Sequence, residues 1–283
     1  MSSLTNLDSL DSLDFCNKFI DYNINNKKGN TFEERFIDII SDPNNLFIKR
    51  CAEAGNVCNG CVTLHNGIKV LKDGYYGDFS KILLLNNGCH EPAEERMFDL
   101  ILKDIPENGT MIELGSYWAF YTIWFNKVIK NAKNYCIEPE LENLNLGKMN
   151  CLINNVNADF TQGFIGKTEI NLCNFVREKN IENIDILHSD IQGYELEMLQ
   201  DITELLVQNK IKYLFISTHS NDLHYKCIDL LTQNNYRIIA SADFDEETFC
   251  YDGIIVACHV SNKVFGNYNI GNRKFTQLRN IPY

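Results

Sequence analysis

The stretch Met111-Ile-Glu-Leu-Gly115-Ser-Tyr-Trp-Ala-Phe-Tyr121 decides the fold of this 283-residue chain. Residues 110–114 have the apolar pattern of a short buried strand, and a helical pattern begins at Phe120. Gly115 stands between them, where a residue without a side chain lets the backbone bend sharply and approach a ligand closely. Strand, glycine turn and helix in this order predict the first unit of an α/β fold.

The same alternation of strand and helix continues to about residue 260. Further strands are predicted at 134–137, 159–164, 184–188, 212–217, 236–240 and 251–259. Strands joined by crossover helices predict a Rossmann-like α/β fold with a mostly parallel, doubly wound sheet, whose last strand returns antiparallel. Ligands of such sheets bind at the carboxyl ends of the strands.

An N-terminal addition with a helix and a hairpin precedes this core. Thr31 opens a capping box for a short helix, and the alternating stretch 62–71 turns at Asn66-Gly67, which predicts a β-hairpin. A further helix is predicted to start at Pro92. The predicted organisation is a partly helical lead-in at 1–61, a domain at 62–260 with hairpin and helix at 62–105 and core at 106–260, and a C-terminal tail at 261–283.

Composition narrows the classes of function. The chain has 26 Lys and Arg against 38 Asp and Glu, a net charge of −12, so nucleic acid is not expected as a partner. The first 20 residues lack a signal-peptide pattern, and no apolar run reaches the roughly 20 residues of a membrane span. Eleven cysteines, many inside apolar strands, favour reduced thiols and a cytoplasmic location.

Two later strands also end in acidic motifs. Glu138 in Tyr-Cys-Ile-Glu-Pro-Glu follows the second strand, where a carboxylate can accept both hydroxyls of a ribose. An exposed acid beside the positive end of a helix is the alternative interpretation of Glu138. Asp190 ends the fourth strand, and a glycine turn at Gly193 leads into a helix that starts with acids. The single glycine at 115 is not the G-x-G-x-x-G fingerprint of a dinucleotide site.

Together these elements resemble the FkbM-type methyltransferases. That family shows an acid-x-Gly-Ala-Asn-x-Gly-Tyr-Tyr-Thr turn, then Glu-Pro after strand two, then Lys-x-Asp-Val-Glu-Gly-x-Glu after strand four. The corresponding residues here are 113–122, 138–139 and 188–195, in the same order and spacing, and the resemblance covers roughly residues 62–260. It implies the Rossmann-like fold of class I methyltransferases, with S-adenosylmethionine as the cofactor.

The chain departs from the family pattern at four positions. Ala119 replaces the second turn glycine and Tyr117 replaces the asparagine, so the methionine end of the pocket is expected to be crowded. His188 stands in place of the family's lysine and Gln192 in place of its glutamate. These departures bear on the acceptor more than on the cofactor.

The resemblance also implies a cofactor site along the strand ends. The predicted cofactor-binding residues are Glu113, Gly115, Ser116 and Tyr117 at the methionine end, Glu138 and Pro139 at the ribose, Gln162, Gly163 and Phe164 at the adenine, and Asp190 beside the sulfonium. For residues 162–164, the end of an ordinary core strand is the alternative interpretation.

His219 follows the fifth strand in a polar loop and is the predicted catalytic residue. An unperturbed histidine, with a pKa near about 6.5, is neutral at cytosolic pH and can accept the proton of a hydroxyl. Asp190 would orient substrate and cofactor beside it. His188 is the competitor for the role of base, and a histidine that only forms loop or core hydrogen bonds is the structural alternative.

The predicted reaction is O-methylation of a hydroxyl on a sugar, a glycan or another small molecule. Three alternatives stay open: methylation of a nitrogen or a protein side chain, a cofactor-binding or interaction protein without turnover, and a nicotinamide-dependent oxidoreductase. The missing G-x-G-x-x-G disfavours the last of these. A homo-oligomer is one option for the assembly, which the sequence leaves open.

Cys51, Cys58, Cys61 and His65 have the composition of a Cys₃His zinc site. The chain offers only one C-x-x-C pair, and His65 directly precedes the Asn66-Gly67 turn. We therefore predict free thiols and no metal site. Whether magnesium assists at Asp190 stays open.

Overall fold

The computed structural model describes residues 29, 31–166, 169–271 and 273. The predicted lead-in up to residue 28 and the tail beyond residue 273 lie outside the described residues. Within the described ranges, no helix is both long and apolar enough to cross a membrane.

The N-terminal part forms a helix, a small three-stranded sheet and two further helices. These elements are α1 (Phe32–Ser41), β1 (Val57–Cys58), β2 (Cys61–Thr63), β3 (Lys69–Leu71), α2 (Lys81–Leu85) and α3 (Pro92–Leu102). The capping box at Thr31 is present and reciprocal with Glu34. β2 and β3 pair antiparallel with Val62 opposite Val70, which confirms the predicted hairpin. α3 begins at Pro92 as predicted.

The core is an eight-stranded sheet with helices on both faces. Its strands are β4 (Thr110–Leu114), β5 (Lys133–Glu138), β6 (Asp159–Gln162), β7 (Ile184–Ser189), β8 (Ile211–Thr218), β9 (Tyr236–Ala242), β10 (Gly253–His259) and β11 (Tyr268–Asn269). Its helices are α4 (Phe120–Val128), α5 (Leu141–Ile153), α6 (Leu172–Glu178), α7 (Glu195–Asp201), α8 (Thr203–Val207) and α9 (Asn221–Gln233).

The strand order β11-β9-β10-β8-β7-β4-β5-β6 confirms a doubly wound sheet. β4, β5 and β6 run parallel toward one edge, and the chain then returns to place β7 and β8 on the other side of β4. β10 pairs antiparallel with both β8 and β9, as the prediction of an antiparallel last strand required. The order therefore reverses between β4 and β7, and ligands of such sheets bind in that crevice.

Alternate residues of β8 show how the sheet separates two apolar cores. Tyr213 and Phe215 belong to the core shared with α3 and α4, whereas Leu214 and Ile216 belong to the core shared with α7 and α9. This alternation follows from the two-residue period of a strand. Both faces are covered, so the strand ends are the open places at which a ligand can reach the sheet.

The structure adds elements that the sequence pattern did not predict. α6 lies between β6 and β7, and Tyr268–Asn269 in the predicted tail pairs parallel with β9 at the sheet edge. Contacts also cross both predicted domain boundaries: the Asn44 side chain donates to the carbonyl of Ile270 at 3.0 Å. The boundaries at residues 62 and 260 remain predictions.

Candidate active site

Gly115 brings the ends of β4 and β7 together. Its φ is +68°, and a Cβ at this position would lie only 1.8 Å from the carbonyl oxygen of Asp190. The turn is held by backbone hydrogen bonds from Gly115 to Ile137 at 2.9 Å and from Asp190 to Leu114 at 3.0 Å. Only glycine satisfies both the left-handed backbone and this approach.

Glu138 braces the turn that follows Gly115. One carboxylate oxygen accepts the N–H of Tyr117 at 3.0 Å, and the other accepts the N–H of Glu140 at 3.0 Å. Tyr117 and Ala119 have φ values of 40° and 60°, left-handed conformations at the two positions where the FkbM pattern has asparagine and glycine. Glu138 is buried, so its carboxylate is fixed at the strand end.

A cavity of about 380 Å³, here called the strand-end cavity, lies over the ends of β4, β5 and β6. Seven of the ten predicted cofactor residues line it: Gly115, Tyr117, Glu138, Pro139, Gly163, Phe164 and Asp190. Gln162 does not; its side-chain amide instead donates to the carbonyl of Pro139 at 3.1 Å.

A second cavity of about 330 Å³, here called the aromatic cavity, adjoins the first. The two share Tyr76, Gly115, Tyr117, Asp190 and Gln192. Glu113 and Ser116, the remaining predicted cofactor residues, line the aromatic cavity instead. Six aromatic side chains form other walls: Phe32, Tyr75, Phe79, Trp118, Tyr121 and Tyr251. Four further ionisable groups line it as well: His90, Glu91, His188 and Asp252.

Glu113 fixes the start of α4. Its carboxylate accepts the N–H of Thr122 at 3.0 Å and is buried. Burial raises the pKa of Glu113 to about 7, although nearby His188 and the hydrogen bonds from Thr122 oppose the shift. This acid therefore has a structural partner as well as a place on the cavity wall.

His219 lies among three carboxylates. Nδ1 is 3.1 Å from Glu195, and Nε2 is 3.3 Å from Asp190 and 3.4 Å from Asp252. Burial alone would lower its pKa, but contacts with Asp190 and Glu195 and the charge of Asp252 outweigh burial and raise the pKa to about 10. The expectation of a neutral His219 is therefore wrong, because the imidazole carries a proton at neutral pH.

Asp190, His219 and Asp252 also form a group with metal-binding composition. Their ligand atoms all lie within 4.8 Å of one another. Among the described residues, no other group of three His, Cys, Asp or Glu side chains meets this condition, and Cys51, Cys58 and Cys61 do not converge with His65. His65 instead contacts Glu95 at 2.7 Å.

His188, the predicted competitor, lies beneath the aromatic cavity. Its Nε2 is 2.6 Å from a carboxylate oxygen of Glu94, and its ring packs against Tyr121 with centroids 4.3 Å apart. Burial lowers the pKa of His188, with opposing contributions from Glu113 and Asp190.

Sequence reasoning missed the acidic start of α3. Glu95 is fully buried and contacts His65 and His90, each at 2.7 Å. Glu91 faces the aromatic cavity and accepts the hydroxyl of Tyr121 at 2.9 Å. Burial raises the pKa of Glu91 to about 8, because the lowering effect of His90 is too small to offset it. The sequence signal for these buried acids was the run His-Glu-Pro-Ala-Glu-Glu at residues 90–95. The same run is also typical of an exposed first helical turn.

A glycine turn after the first strand, a carboxylate after the second and a cavity at the switch point are the features with which Rossmann-like folds form a ligand site. Residues 159–238 match the family model described as the methyltransferase FkbM domain. This match confirms the resemblance to the FkbM-type, S-adenosylmethionine-dependent methyltransferases over that segment, which is less than a third of the chain. The matched segment contains Gly163, Asp190 and His219.

Solved structures of methyltransferases are similar at low identity. They include a precorrin-6y C5,15-methyltransferase from Geobacter metallireducens (13% identity, 57% of this chain and 87% of that chain, TM-score 0.43). M. capricolum TrmK in complex with S-adenosyl-homocysteine shares 19% identity (61% and 69%, TM-score 0.39). A SAM-dependent methyltransferase from Aquifex aeolicus shares 15% (56% and 88%, TM-score 0.40). Similarities this low carry no argument about the acceptor. A search of curated proteins found no significant match.

Proposed function

We propose that the protein methylates a hydroxyl of a sugar, a glycan or another small molecule. The observation that carries this proposal is the pair of adjoining cavities that share a wall at Gly115 and Asp190. The strand-end cavity is assigned to the cofactor and the aromatic cavity to the acceptor. A cavity lined by ring faces and carboxylates suits a small polar molecule, because the rings cover the apolar faces of the molecule and the carboxylates accept its hydroxyls.

The residues of the strand-end cavity fit S-adenosylmethionine. Glu138 would accept the ribose hydroxyls, and Gly163 and Phe164 would border the adenine. Gln162 would act indirectly, since its amide holds the carbonyl of Pro139. When bound, the cofactor supplies an activated methyl group on a sulfonium centre. Its methionine end would lie near Gly115, Tyr117 and the shared wall, with Glu113 and Ser116 reached from the aromatic cavity.

The chain's own residues must orient the acceptor and take up its proton. We assign Asp190 and His219 to orientation as an ion pair: the protonated imidazole, 3.3 Å away, holds the Asp190 side chain at the shared wall. A protonated His219 cannot receive a proton. Glu91 faces the same cavity with a pKa raised by burial to about 8, so the ionised fraction of this group, which grows as the pH rises toward 8, can take up the proton.

Two measurements test the proposal. Calorimetric titration should show binding of S-adenosylhomocysteine, the product of the cofactor, and no binding of NAD. Transfer of a labelled methyl group should then be measured on a panel of glycosides and on the matched deoxy-glycosides that lack one hydroxyl. Methylation that requires one particular hydroxyl supports O-methylation. Tight binding of NAD, or transfer to an amine or a protein side chain instead, would overturn it.

A further inference from the structure

Four carboxyl groups line the aromatic cavity, those of Glu91, Glu113, Asp190 and Asp252, together with two histidines, His90 and His188. Glu91 and Asp252 line only this cavity, whereas Asp190 lies on the wall shared with the strand-end cavity. Among the described residues, no lysine or arginine lines the aromatic cavity. In the described part of the chain, His219 is a cation that contacts Asp190 and Asp252, at 3.3 and 3.4 Å. The contacts of Glu91 are with His90 and the neutral hydroxyl of Tyr121.

The rings of this cavity present their faces at different angles. Tyr75 packs against Trp118 with centroids 4.6 Å apart and planes 31° apart, and it meets Tyr76 at 5.1 Å and 68°. On another wall, Phe79 and Tyr251 are 5.5 Å apart and nearly perpendicular. Ring faces carry negative electrostatic potential, so several faces around one space attract a cation and add to the attraction of nearby carboxylates.

Burial and the carboxylates of the aromatic cavity raise the pKa values of two tyrosines that line it. The pKa of Tyr75 is raised well above its usual value, first by burial and then by the charges of Glu91, Asp252 and Asp190. The pKa of Tyr76 is raised by burial and by the same three carboxylates. Both hydroxyls therefore stay protonated and neutral. Tyr75 and Tyr76 offer a ligand their ring faces and no phenolate charge.

We propose that the aromatic cavity binds a monovalent organic cation, so that the methyl acceptor carries an ammonium group beside the methylated group. The ammonium group lies between the ring faces, close to Asp252 and to Glu91, whose ionised form a bound cation favours. This inference rests on the assignment of the aromatic cavity to the acceptor in the proposed function. It narrows the acceptor to amino sugars or small hydroxyl-bearing amines, and it excludes sugar phosphates and other anions.

A matched pair of probes tests the charge alone. Choline and 3,3-dimethyl-1-butanol have nearly the same shape, but only choline is charged. Both are titrated calorimetrically into the protein saturated with S-adenosylhomocysteine, which has no sulfonium charge. We expect choline to bind about tenfold more tightly, the effect of a desolvated cation over aromatic rings. Equal affinities would overturn the inference. So would choline that binds the protein without S-adenosylhomocysteine but not the saturated protein, which would place the cation in the strand-end cavity.

Two variants locate the cation. Glu91→Gln and Asp252→Asn each keep the shape of the side chain, and each should reduce the preference for choline at least threefold. Glu107→Gln removes the same charge from an exposed pair with Lys130 and should leave the preference unchanged. Binding of S-adenosylhomocysteine shows that each variant is folded. An undiminished preference in both cavity variants would refute the assignment of the cation to these two carboxylates.

The proposed function and this inference fail in different ways. If S-adenosylhomocysteine does not bind to the wild-type protein, the proposed function fails. The two probes are then compared on the protein without it, and the result still decides whether the cavity selects a cation. If S-adenosylhomocysteine binds and choline has no advantage, only the inference is overturned.

Discussion

Replacing Gly115 by alanine should both destabilise the protein and weaken cofactor binding. An alanine in the left-handed region costs about 1–2 kcal/mol. Its Cβ would start 1.8 Å from the carbonyl oxygen of Asp190, whereas carbon contacts are optimal near about 3.5 Å, so the ends of β4 and β7 must separate. This separation strains two backbone hydrogen bonds, Asp190 to Leu114 and Gly115 to Ile137, worth about 0.5–1.5 kcal/mol each.

The expected total is a loss of about 2–5 kcal/mol in the free energy of unfolding, a large part of the roughly 5–15 kcal/mol typical of a domain. Urea denaturation followed by tryptophan fluorescence measures this loss. Because Gly115 and Asp190 line both cavities, calorimetry should also show at least about tenfold weaker binding of S-adenosylhomocysteine, a difference of about 1.4 kcal/mol.

Gly67→Ala is the matched control. Gly67 has a φ of +83°, but a Cβ there meets no atom within 4 Å. It should therefore cost only the backbone contribution of about 1–2 kcal/mol and leave cofactor binding unchanged. If Gly115→Ala is no more destabilising than Gly67→Ala and binds the cofactor product equally well, the argument from close approach is refuted.

Three further predictions concern charged groups. Glu138→Ala should weaken binding of S-adenosylhomocysteine by about 1.5–3 kcal/mol in calorimetry, whereas the exposed Glu142→Ala should not; equal effects would contradict the ribose assignment. His219→Gln should be less stable than the wild type below pH 6.5. Because the folded-state pKa is raised to about 10, this difference should shrink as the pH rises from about 6.5 to 10, and a constant difference in urea denaturation would count against the charged imidazole. Glu95→Gln breaks a buried pair with two histidines and should cost about 3–5 kcal/mol, against at most about 1 kcal/mol for the exposed Glu107→Gln; similar losses would show that the buried contacts contribute little.

Local sequence patterns were sufficient for most of the fold. β4 runs from Thr110 to Leu114 as predicted. The ends of the other predicted core strands lie within two residues of the observed ends. These elements are set by apolar periodicity and by glycine or proline at their ends, which a single sequence displays. β11 has two residues and no side-chain pattern of its own, so only its pairing with β9 identifies it.

The positions of the candidate cofactor residues were more predictable than the charges around His219. Gly115 and Glu138 stand at strand ends, and the carboxyl ends of neighbouring parallel strands necessarily meet at one edge. Glu195 and Asp252 reach His219 from α7 and from the segment before β10. A pKa depends on such distant neighbours and on burial, neither of which is a property of the local sequence.

The burial of the acids of α3 could not be predicted from the local sequence either. Acids in a first helical turn usually face solvent, next to the positive end of the helix. Here Glu95 is covered by the hairpin through His65, and Glu94 by β7 through His188. The pattern of residues on α3 gives no sign of either neighbour.

The wall shared by the two cavities has a thermodynamic consequence. The Tyr117 hydroxyl donates to the carbonyl of Gly74 at 2.7 Å and accepts the N–H of Tyr76 at 2.8 Å, which joins the turn after Gly115 to the loop that carries Tyr75 and Tyr76. A shift of Tyr117 would therefore change the walls of both the strand-end cavity and the aromatic cavity. Linkage requires reciprocity: the factor by which one occupant changes the affinity of the other is the same in either order of binding. A cofactor that strengthens acceptor binding through Tyr117 would therefore itself be held more tightly once the acceptor is bound.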